Sequence, residues 1–207
     1  MPIVRLSKDV DYVTMINYFS VAPEDKQEFA EMEVKEIDKY GDNMDSALAA
    51  SFHRSMEGSR VFNYAHWKSK KALEASQQTS EFKAHIKRMS HLDFTPDPRV
   101  YQVVHIYGAE EPVINSESSI VPILTMIYAK SGSQQQIIDI LMRNNLARSP
   151  DIASSHLLRS EDGQRVAIYT QCRDRSTAES WKKSFSKIAE LADNIETLPY
   201  ELLGSYN

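Results

Sequence analysis

Apolar and polar residues repeat in the same sequence of patterns in both halves of the chain. Each half begins with a strand pattern, VTMINYFSV at 13–21 and PILTMIYAK at 122–130. A helical pattern follows, then two strands around an acidic-Gly pair, a second helical pattern and a closing extended segment, VYQVVHIY or PYELLGSY. The predicted order in each half is β-α-β-β-α-β, which is the ferredoxin-like split βαβ unit.

The helical segments carry apolar residues at spacings of three and four, which predicts amphipathic helices that pack on one face of a sheet. The first helix follows Pro23-Glu24, a helix-start signal. The apolar positions in chain order are Phe29, Ala30, Val34 and Ile37, then Phe82, His85, Ile86 and Met89, then Ile137, Ile138, Leu141 and Met142, and finally Ala178, Trp181, Phe185, Ile188 and Ala192.

The two hairpins indicate an internal duplication. FHRSMEGSRVFNYAHW at 52–67 aligns without a gap on LLRSEDGQRVAIYTQC at 157–172, with six identical residues including both arginines of each hairpin. The pairs Glu57-Gly58 and Asp162-Gly163 predict two-residue hairpin turns, because glycine tolerates positive φ there.

The segment GAEEPVINSESS at 108–119 is acidic, polar and free of aromatic residues, which predicts an exposed connection. We therefore expect an N-terminal domain at 1–107 and a C-terminal domain at 120–207. A sheet with helices on one face leaves its other face exposed, and the sheet of the second unit can pack on that face. The predicted fold is α+β, with two fused ferredoxin-like units forming a pseudo-dimer around an internal barrel.

Composition excludes several classes of function. The 207 residues carry a net charge of -5 without a lysine-arginine block, so no nucleic-acid partner is expected. No segment has the roughly 20 apolar residues that span a bilayer, and the N-terminus lacks the apolar run of a secretory signal. We expect a cytoplasmic protein with no membrane partner. The single cysteine, Cys172, excludes an internal disulfide and has no partner spaced for zinc.

One face of the first hairpin is predicted to form a binding site. Counting from the turn pairs Phe52 with Asn63, Ala50 with Ala65 and Leu48 with Trp67, and cross-strand partners share a face. Their shared face is an apolar floor that holds one amide and one indole. A mostly apolar cavity with few polar groups is typical of a site for a flat organic molecule.

The second hairpin provides an internal comparison. Ile168 stands at the position of Asn63, Cys172 at that of Trp67, and Leu157 is predicted opposite Ile168. The scaffold is therefore repeated without the polar pair, which favours a site in the first half only. The alternative, in which Asn63 satisfies a strand end and Trp67 belongs to the core, stays open.

The first half resembles the antibiotic biosynthesis monooxygenase (ABM) domain proteins of the dimeric α+β barrel superfamily. The resemblance lies in INYFSVAPEDKQEF, FHRSMEGSRVFNYAHWKSKKALEA, EFKAH and VYQVVHIY, with N-Y-A-x-W after an acidic-Gly hairpin as its most specific part. It implies two barrel units fused in tandem. It also implies oxidation of a small aromatic polyketide of the anthrone type by molecular oxygen, with no metal, flavin or nicotinamide cofactor.

The resemblance implies roles for Asn63, which would bind the substrate oxygen that gains charge, and for Trp67, which would hold the ring system. The family pattern has a tyrosine where this chain has Leu73, and an arginine contribution would fall to Arg88. His85 is either a core histidine or a general base. His53 and His66 face away from Asn63 and are not expected in the site. The expected substrate-contacting residues are Asn17, Leu48, Ala50, Phe52, Ala65, Leu73 and Phe82.

Two other functions stay open. Haem-degrading monooxygenases of the same superfamily use an Asn on the first strand and a His ten residues after a Trp, and this chain offers Asn17 and His85 but has Ala75 at the Trp position. Haem would be a cofactor only in that case. Alternatively, the chain binds a hydrophobic metabolite without catalysis, or acts as a cyclase-like accessory protein. A homodimer of the whole chain is also open.

Overall fold

The computed structural model describes residues 4–5, 12–43, 47–108, 113–114, 120–144 and 151–206. The chain divides into two compact units, one built mainly from Asp9–Val100 with Leu202–Asn207 and the other mainly from Tyr101–Glu201. In chain order the elements are β1 (Val4–Arg5), β2 (Val13–Val21), α1 (Lys26–Asn43), β3 (Ala47–Ser55), β4 (Arg60–Trp67), α2 (Lys70–Ser76), α3 (Ser80–Met89), β5 (Phe94–Gly108), β6 (Val113–Ile114), β7 (Val121–Ala129), α4 (Gln134–Asn144), β8 (Ile152–Ser160), β9 (Arg165–Cys172), α5 (Arg175–Lys182), a 3-10 helix (Lys183–Leu191) and β10 (Ala192–Tyr206).

The strand order confirms the predicted fold class. The main sheet runs β10-β3-β4-β2-β5-β8-β9-β7 and closes as a barrel, while β1 and β6 form a separate two-stranded sheet. The strands of each unit follow the same order in the sheet, β3-β4-β2-β5 in the first and β8-β9-β7-β10 in the second, as expected of two split βαβ units. The fold is α+β and of the dimeric α+β barrel type. The domain limits 1–107 and 120–207 stay a prediction.

The two hairpins share one turn structure, and it is longer than predicted. Four residues, 56–59, connect β3 to β4, and the Ser55 hydroxyl accepts from the Arg60 backbone N–H at 3.0 Å while donating to Glu57 at 2.9 Å. Ser160, Asp162 and Arg165 repeat these contacts in the second hairpin. Gly58 has a φ of 86° and Gly163 one of 74°, which explains the glycines.

The helices after the hairpins also differ from the prediction. Two short helices, α2 and α3, replace the single one expected after the first hairpin, because Ser69 and Thr79 each cap a helix start through the side-chain oxygen. After the second hairpin, α5 continues into a 3-10 helix. Ala192, expected on that helix, is the first residue of β10.

The register of the first hairpin is as predicted except at its open end. Phe52 pairs with Asn63 and Ala50 with Ala65, but a bulge between Ala47 and Ala49 places Ala47 opposite Trp67. The predicted Leu48–Trp67 pair is therefore wrong, since a bulge inserts one extra residue and turns its side chain away. Leu48 is 38% exposed.

The predicted connection at 108–119 is only partly described. Within it, Val113–Ile114 pairs with Val4–Arg5, and Ile114 is buried. The expectation of an exposed connection is thus wrong at Ile114. Residues 109–112 and 115–119 lie outside the described residues. None of the described helices combines the length and the apolar character needed to cross a membrane.

Candidate active site

A cavity of about 220 Å³ lies between the sheet and the helices of the first unit. Alternate residues of four strands form its floor, and side chains of α1, α2 and α3 form its wall. The lining consists of Met15, Asn17, Phe19, Glu33, Ala50, Phe52, Asn63, Ala65, Trp67, Leu73, Ser76, Gln77, Phe82, His85, Ile86, Met89, Phe94, Pro96 and Pro98.

The lining includes every predicted site residue except Leu48, which faces outward at the bulge, and Arg88. Strand alternation explains the agreement, because Asn63, Ala65 and Trp67 occupy one face of β4, and Ala65 leaves space between the two larger groups. Leu73, buried at 5% exposure, fills the position of the family's tyrosine without offering a hydroxyl. Arg88 is not in the lining and is bound to Glu36 instead.

The orientation of the Asn63 amide is determined by the neighbouring strand. Asn63 pairs with Asn17 across β2 and β4, and its side-chain oxygen accepts a hydrogen bond from the Asn17 backbone N–H at 3.2 Å. A backbone N–H can only donate, so the amide oxygen must face it. The Asn63 NH₂ group is consequently available as a donor to a molecule in the cavity.

Two other polar atoms in the lining are buried without a hydrogen-bond partner among the described residues. They are Nε1 of Trp67, a donor, and Oδ1 of Asn17, an acceptor. Buried polar atoms are rarely left unpaired in folded proteins, and ligands commonly satisfy them at functional sites. The cavity therefore offers hydrogen-bonding positions to a ligand on an otherwise apolar surface.

His85 lies at the cavity wall between two carboxylates of α1. Its Nε2 is 2.9 Å from Oε1 of Glu33, and its Nδ1 is 3.5 Å from Oε2 of Glu36. Arg88 contacts the same Glu36 oxygen at 2.7 Å. Both ring nitrogens thus face carboxylate oxygens, and Glu33 and His85 are the only ionisable side chains of the described cavity lining.

Sequence reasoning missed Glu33. The signal was present, because Glu33 and Glu36 follow Phe29 by four and seven residues and so interrupt the apolar stripe of α1. Both carboxylates are buried.

His53 and His66 lie on the opposite face of the hairpin, as predicted, and are absent from the cavity lining. Burial lowers the pKa of each from 6.5 to about 3, so both rings are neutral at neutral pH. Neither is in a position to exchange a proton with a molecule in the cavity.

The second unit has apolar side chains where the first has its cavity. Thr125 pairs with Ile168 as Asn17 pairs with Asn63, and Leu157 lies opposite Ile168 as predicted. Trp181 packs in one apolar cluster with Ile168 and Cys172, and its indole N–H donates to Thr125 at 3.3 Å. The tryptophan of the second unit is therefore buried in this cluster, with its N–H paired.

The residues of the cavity do not suit haem or a metal ion. An iron ligand needs a ring nitrogen directed at the iron, whereas both nitrogens of His85 face Glu33 and Glu36. No group of three or more His, Cys, Asp or Glu side chains in the described part of the chain is arranged to hold a metal ion.

Comparison with known proteins agrees with this fold. Residues 12–88 match the antibiotic biosynthesis monooxygenase family. The chain is 30% identical to tetracenomycin-F1 monooxygenase of Streptomyces glaucescens over 107 residues, which are 52% of this chain and 95% of that protein. This chain therefore belongs to the antibiotic biosynthesis monooxygenase family.

Two solved structures share the fold over almost the whole chain. A crystal structure of an anthrone oxidase-like protein superposes with a TM-score of 0.81 at 17% identity and covers 98% of this chain and 95% of its own. A putative monooxygenase of Fusobacterium nucleatum has a TM-score of 0.70 at 8% identity, with 96% and 95% covered. At these identities the likeness extends to the fold alone.

Proposed function

We propose that this chain is a monooxygenase that oxidises an anthrone-type aromatic polyketide, or a related phenol, to a quinone with molecular oxygen and without a cofactor. Membership of the monooxygenase family and the name of the Streptomyces relative support the reaction class. The observation that carries the proposal is the Asn63 NH₂ group, which the Asn17 backbone orients toward an apolar cavity.

The reaction converts a methylene group and one dioxygen molecule into a carbonyl group and one water. Loss of a proton from the methylene makes the substrate an electron-rich carbanion, which transfers an electron to dioxygen. Combination of the two radicals forms a C–O bond, and protonation gives a hydroperoxide. Removal of the second hydrogen as a proton then breaks the O–O bond, so hydroxide leaves, takes up a proton and becomes water. Four electrons leave the substrate and four reduce dioxygen.

Asn63 and Trp67 are suited to the charge that appears in the first step. Deprotonation moves negative charge onto the ring carbonyl oxygen, and a preorganised donor in an apolar site stabilises such an oxyanion strongly. Asn63 provides one such donor. The unpaired Trp67 N–H provides a second, and its indole offers a flat surface to the rings.

The remaining lining would bind the aromatic body and limit the access of water. Ala50, Phe52, Ala65 and Leu73 are all buried, and Phe82 adds a ring from α3. The unpaired Oδ1 of Asn17 would accept from a phenolic hydroxyl next to the carbonyl bound by Asn63. His85 would support proton transfer by holding the Glu33 carboxylate, which lies 2.9 Å from its Nε2.

The proposal places one site in the chain. The Asn63 equivalent is Ile168, and Trp181 lies in the apolar cluster around it with its N–H bound to Thr125, so the described residues of the second unit offer no donor at these two positions. Location in the cytoplasm and a homodimer of the whole chain stay predictions from the sequence.

The test is dioxygen uptake with dithranol as an anthrone probe, measured against spontaneous oxidation. We expect rapid uptake by the wild-type chain, with large losses in Asn63→Ala and Trp67→Ala and a much smaller loss in Ile168→Val. Binding of dithranol without uptake would instead favour the non-catalytic reading. A Soret shift on mixing with haem, followed by aerobic turnover of the haem, would favour haem degradation.

A further inference from the structure

The proposed reaction needs a base, and the cavity offers few candidates. Carbanion formation moves a C–H proton to an acceptor within hydrogen-bond reach. Asn63, Trp67 and the apolar lining do not accept protons at neutral pH. Among the described residues of the lining, Glu33 and His85 are the ionisable ones, so these two are the candidates for a protein base.

The hydrogen bonds of His85 argue against His85 itself. Its Nε2 faces Glu33 at 2.9 Å and its Nδ1 faces Glu36 at 3.5 Å, and carboxylate oxygens only accept. A neutral imidazole keeps a lone pair on one ring nitrogen only, and either nitrogen of His85 is turned toward a carboxylate of α1 rather than toward a substrate. His85 would have to break a buried contact before acting as a base.

Glu33 does not have this restriction. Its Oε1 is held by His85, whereas its Oε2 has no hydrogen bond to any residue that the structure describes. Glu33 lines the cavity, and its side chain is 11% exposed. One oxygen is therefore anchored while the other remains available, which is the geometry that a positioned general base requires.

The charged groups around Glu33 form a single chain of contacts between two helices. Glu33 and Glu36 on α1 face His85 and Arg88 on α3 in the order Glu33, His85, Glu36 and Arg88, with 2.9, 3.5 and 2.7 Å between successive partners. Arg88 is half-exposed at the far end. The contact with His85, which Glu36 and then Arg88 hold in turn, restricts the rotamer of the Glu33 carboxylate without taking its second oxygen.

We propose that Glu33 is the general base of the cavity and that His85, Glu36 and Arg88 are positioning residues that hold its carboxylate. The inference rests on the proposed function and names the group that moves the proton. In the first step the C–H bond of the methylene breaks, its electron pair stays on the substrate, and the proton goes to Oε2 of Glu33. Glu33 then gives that proton to the peroxide anion, takes up the second methylene proton as the O–O bond breaks, and passes it to the leaving hydroxide, which becomes water.

An anaerobic exchange experiment separates the base from the oxidation. Without dioxygen, removal and return of the methylene proton replace hydrogen by deuterium in heavy water, which NMR of dithranol detects. We expect the wild-type chain to catalyse this exchange and Glu33→Gln to lose it by roughly 10²- to 10⁴-fold, the usual contribution of a general base. Glu31→Gln, an exposed position on the same helix, serves as the matched control and should exchange at the wild-type rate.

The pH dependence distinguishes a lost base from a damaged fold. Ionisation of the substrate in solution bypasses the base, so dioxygen uptake by Glu33→Gln should recover as the pH rises. Asn63→Leu should not recover, because its defect is in oxyanion binding. If Glu33→Gln does not fold, Glu33→Asp keeps the charge but withdraws the oxygen by one methylene, and it should lose at least about tenfold in exchange.

Three outcomes bear on the proposal. Exchange in Glu33→Gln or Glu33→Asp at the wild-type rate would overturn Glu33 as the base. If the wild-type chain catalysed exchange that depends on Glu33 but took up no dioxygen, Glu33 would be supported as the base and the proposed monooxygenase activity would be contradicted. Absence of both activities from the wild-type chain would overturn both.

Discussion

The substitution Asn63→Asp separates the two halves of the Asn63 amide. The side-chain oxygen accepts from the Asn17 backbone at 3.2 Å, and the NH₂ group serves the cavity. Aspartate keeps an oxygen for the Asn17 N–H but replaces the donor by a second acceptor with negative charge. Asn63→Leu, of similar size, removes both interactions.

Of the two variants, Asn63→Asp should be the more stable and Asn63→Leu should have the higher kcat. Leucine leaves the Asn17 N–H without its acceptor, at a cost of about 1–3 kcal/mol in the free energy of unfolding. Asn63→Asp should lower the free energy of unfolding by less, because its carboxylate still accepts from the Asn17 N–H. In kcat, loss of one preorganised donor costs roughly 10²- to 10³-fold, or about 2.7–4 kcal/mol. Asn63→Asp should lose more than Asn63→Leu, because its carboxylate repels the oxyanion.

The assays are urea unfolding for stability and dioxygen uptake with dithranol for kcat. The expected pattern is Asn63→Asp the more stable variant and Asn63→Leu the more active one. If Asn63→Asp retained wild-type kcat, or exceeded Asn63→Leu, the NH₂ group would not serve the oxyanion and the assignment would be refuted.

Further predictions concern the indole, the floor and the buried histidines. Trp67→Phe keeps a ring but removes the unpaired N–H, so kcat for dithranol should fall by roughly 10²-fold, the lower end of the cost of losing one preorganised donor, and an unchanged kcat would contradict a donor role. Ala65→Leu should fill the space between the polar groups and abolish dithranol binding in a fluorescence titration, whereas Leu48→Ala, outside the cavity, should bind as the wild type does. His53 and His66 have a pKa of about 3 in the folded chain and 6.5 in the unfolded one, so the unfolded state binds more protons below pH 6.5 and stability is lost as the pH falls from 6.5 toward 3. Urea unfolding should show that the free energy of unfolding falls by about 2 kcal/mol per histidine between pH 7 and pH 5. If His53→Gln had the same pH dependence of stability as the wild type, the contribution of His53 would be contradicted.

The sequence was sufficient for the fold and for the floor of the cavity. Strand alternation and the duplicated hairpin determine which residues share a face, and Asn63 and Trp67 lie on that face as predicted. The bulge at Leu48 could not be predicted, because inserting one residue into a ladder leaves no mark in composition or periodicity.

The wall of the cavity was harder to predict than its floor. Glu33 and His85 are 52 residues apart in the sequence, and their contact depends on how two helices pack. The positions of Glu33 and Glu36 on the apolar stripe of α1 mark them as inward-facing, but a single sequence does not show which residues of α3 they meet. The hydrogen bond from Trp181 to Thr125 was also not predicted, because it joins a helix to a strand 56 residues away in the sequence.

The most direct test of the account is oxidation of dithranol by isotopically labelled dioxygen, using chelator-treated wild-type chain with Asn63→Asp beside it. The account predicts one labelled oxygen atom in the quinone and one in water, with uptake of one dioxygen per quinone and a rate far above that of Asn63→Asp. A wild-type rate no greater than spontaneous oxidation, or a rate that disappears with the chelator, would contradict it.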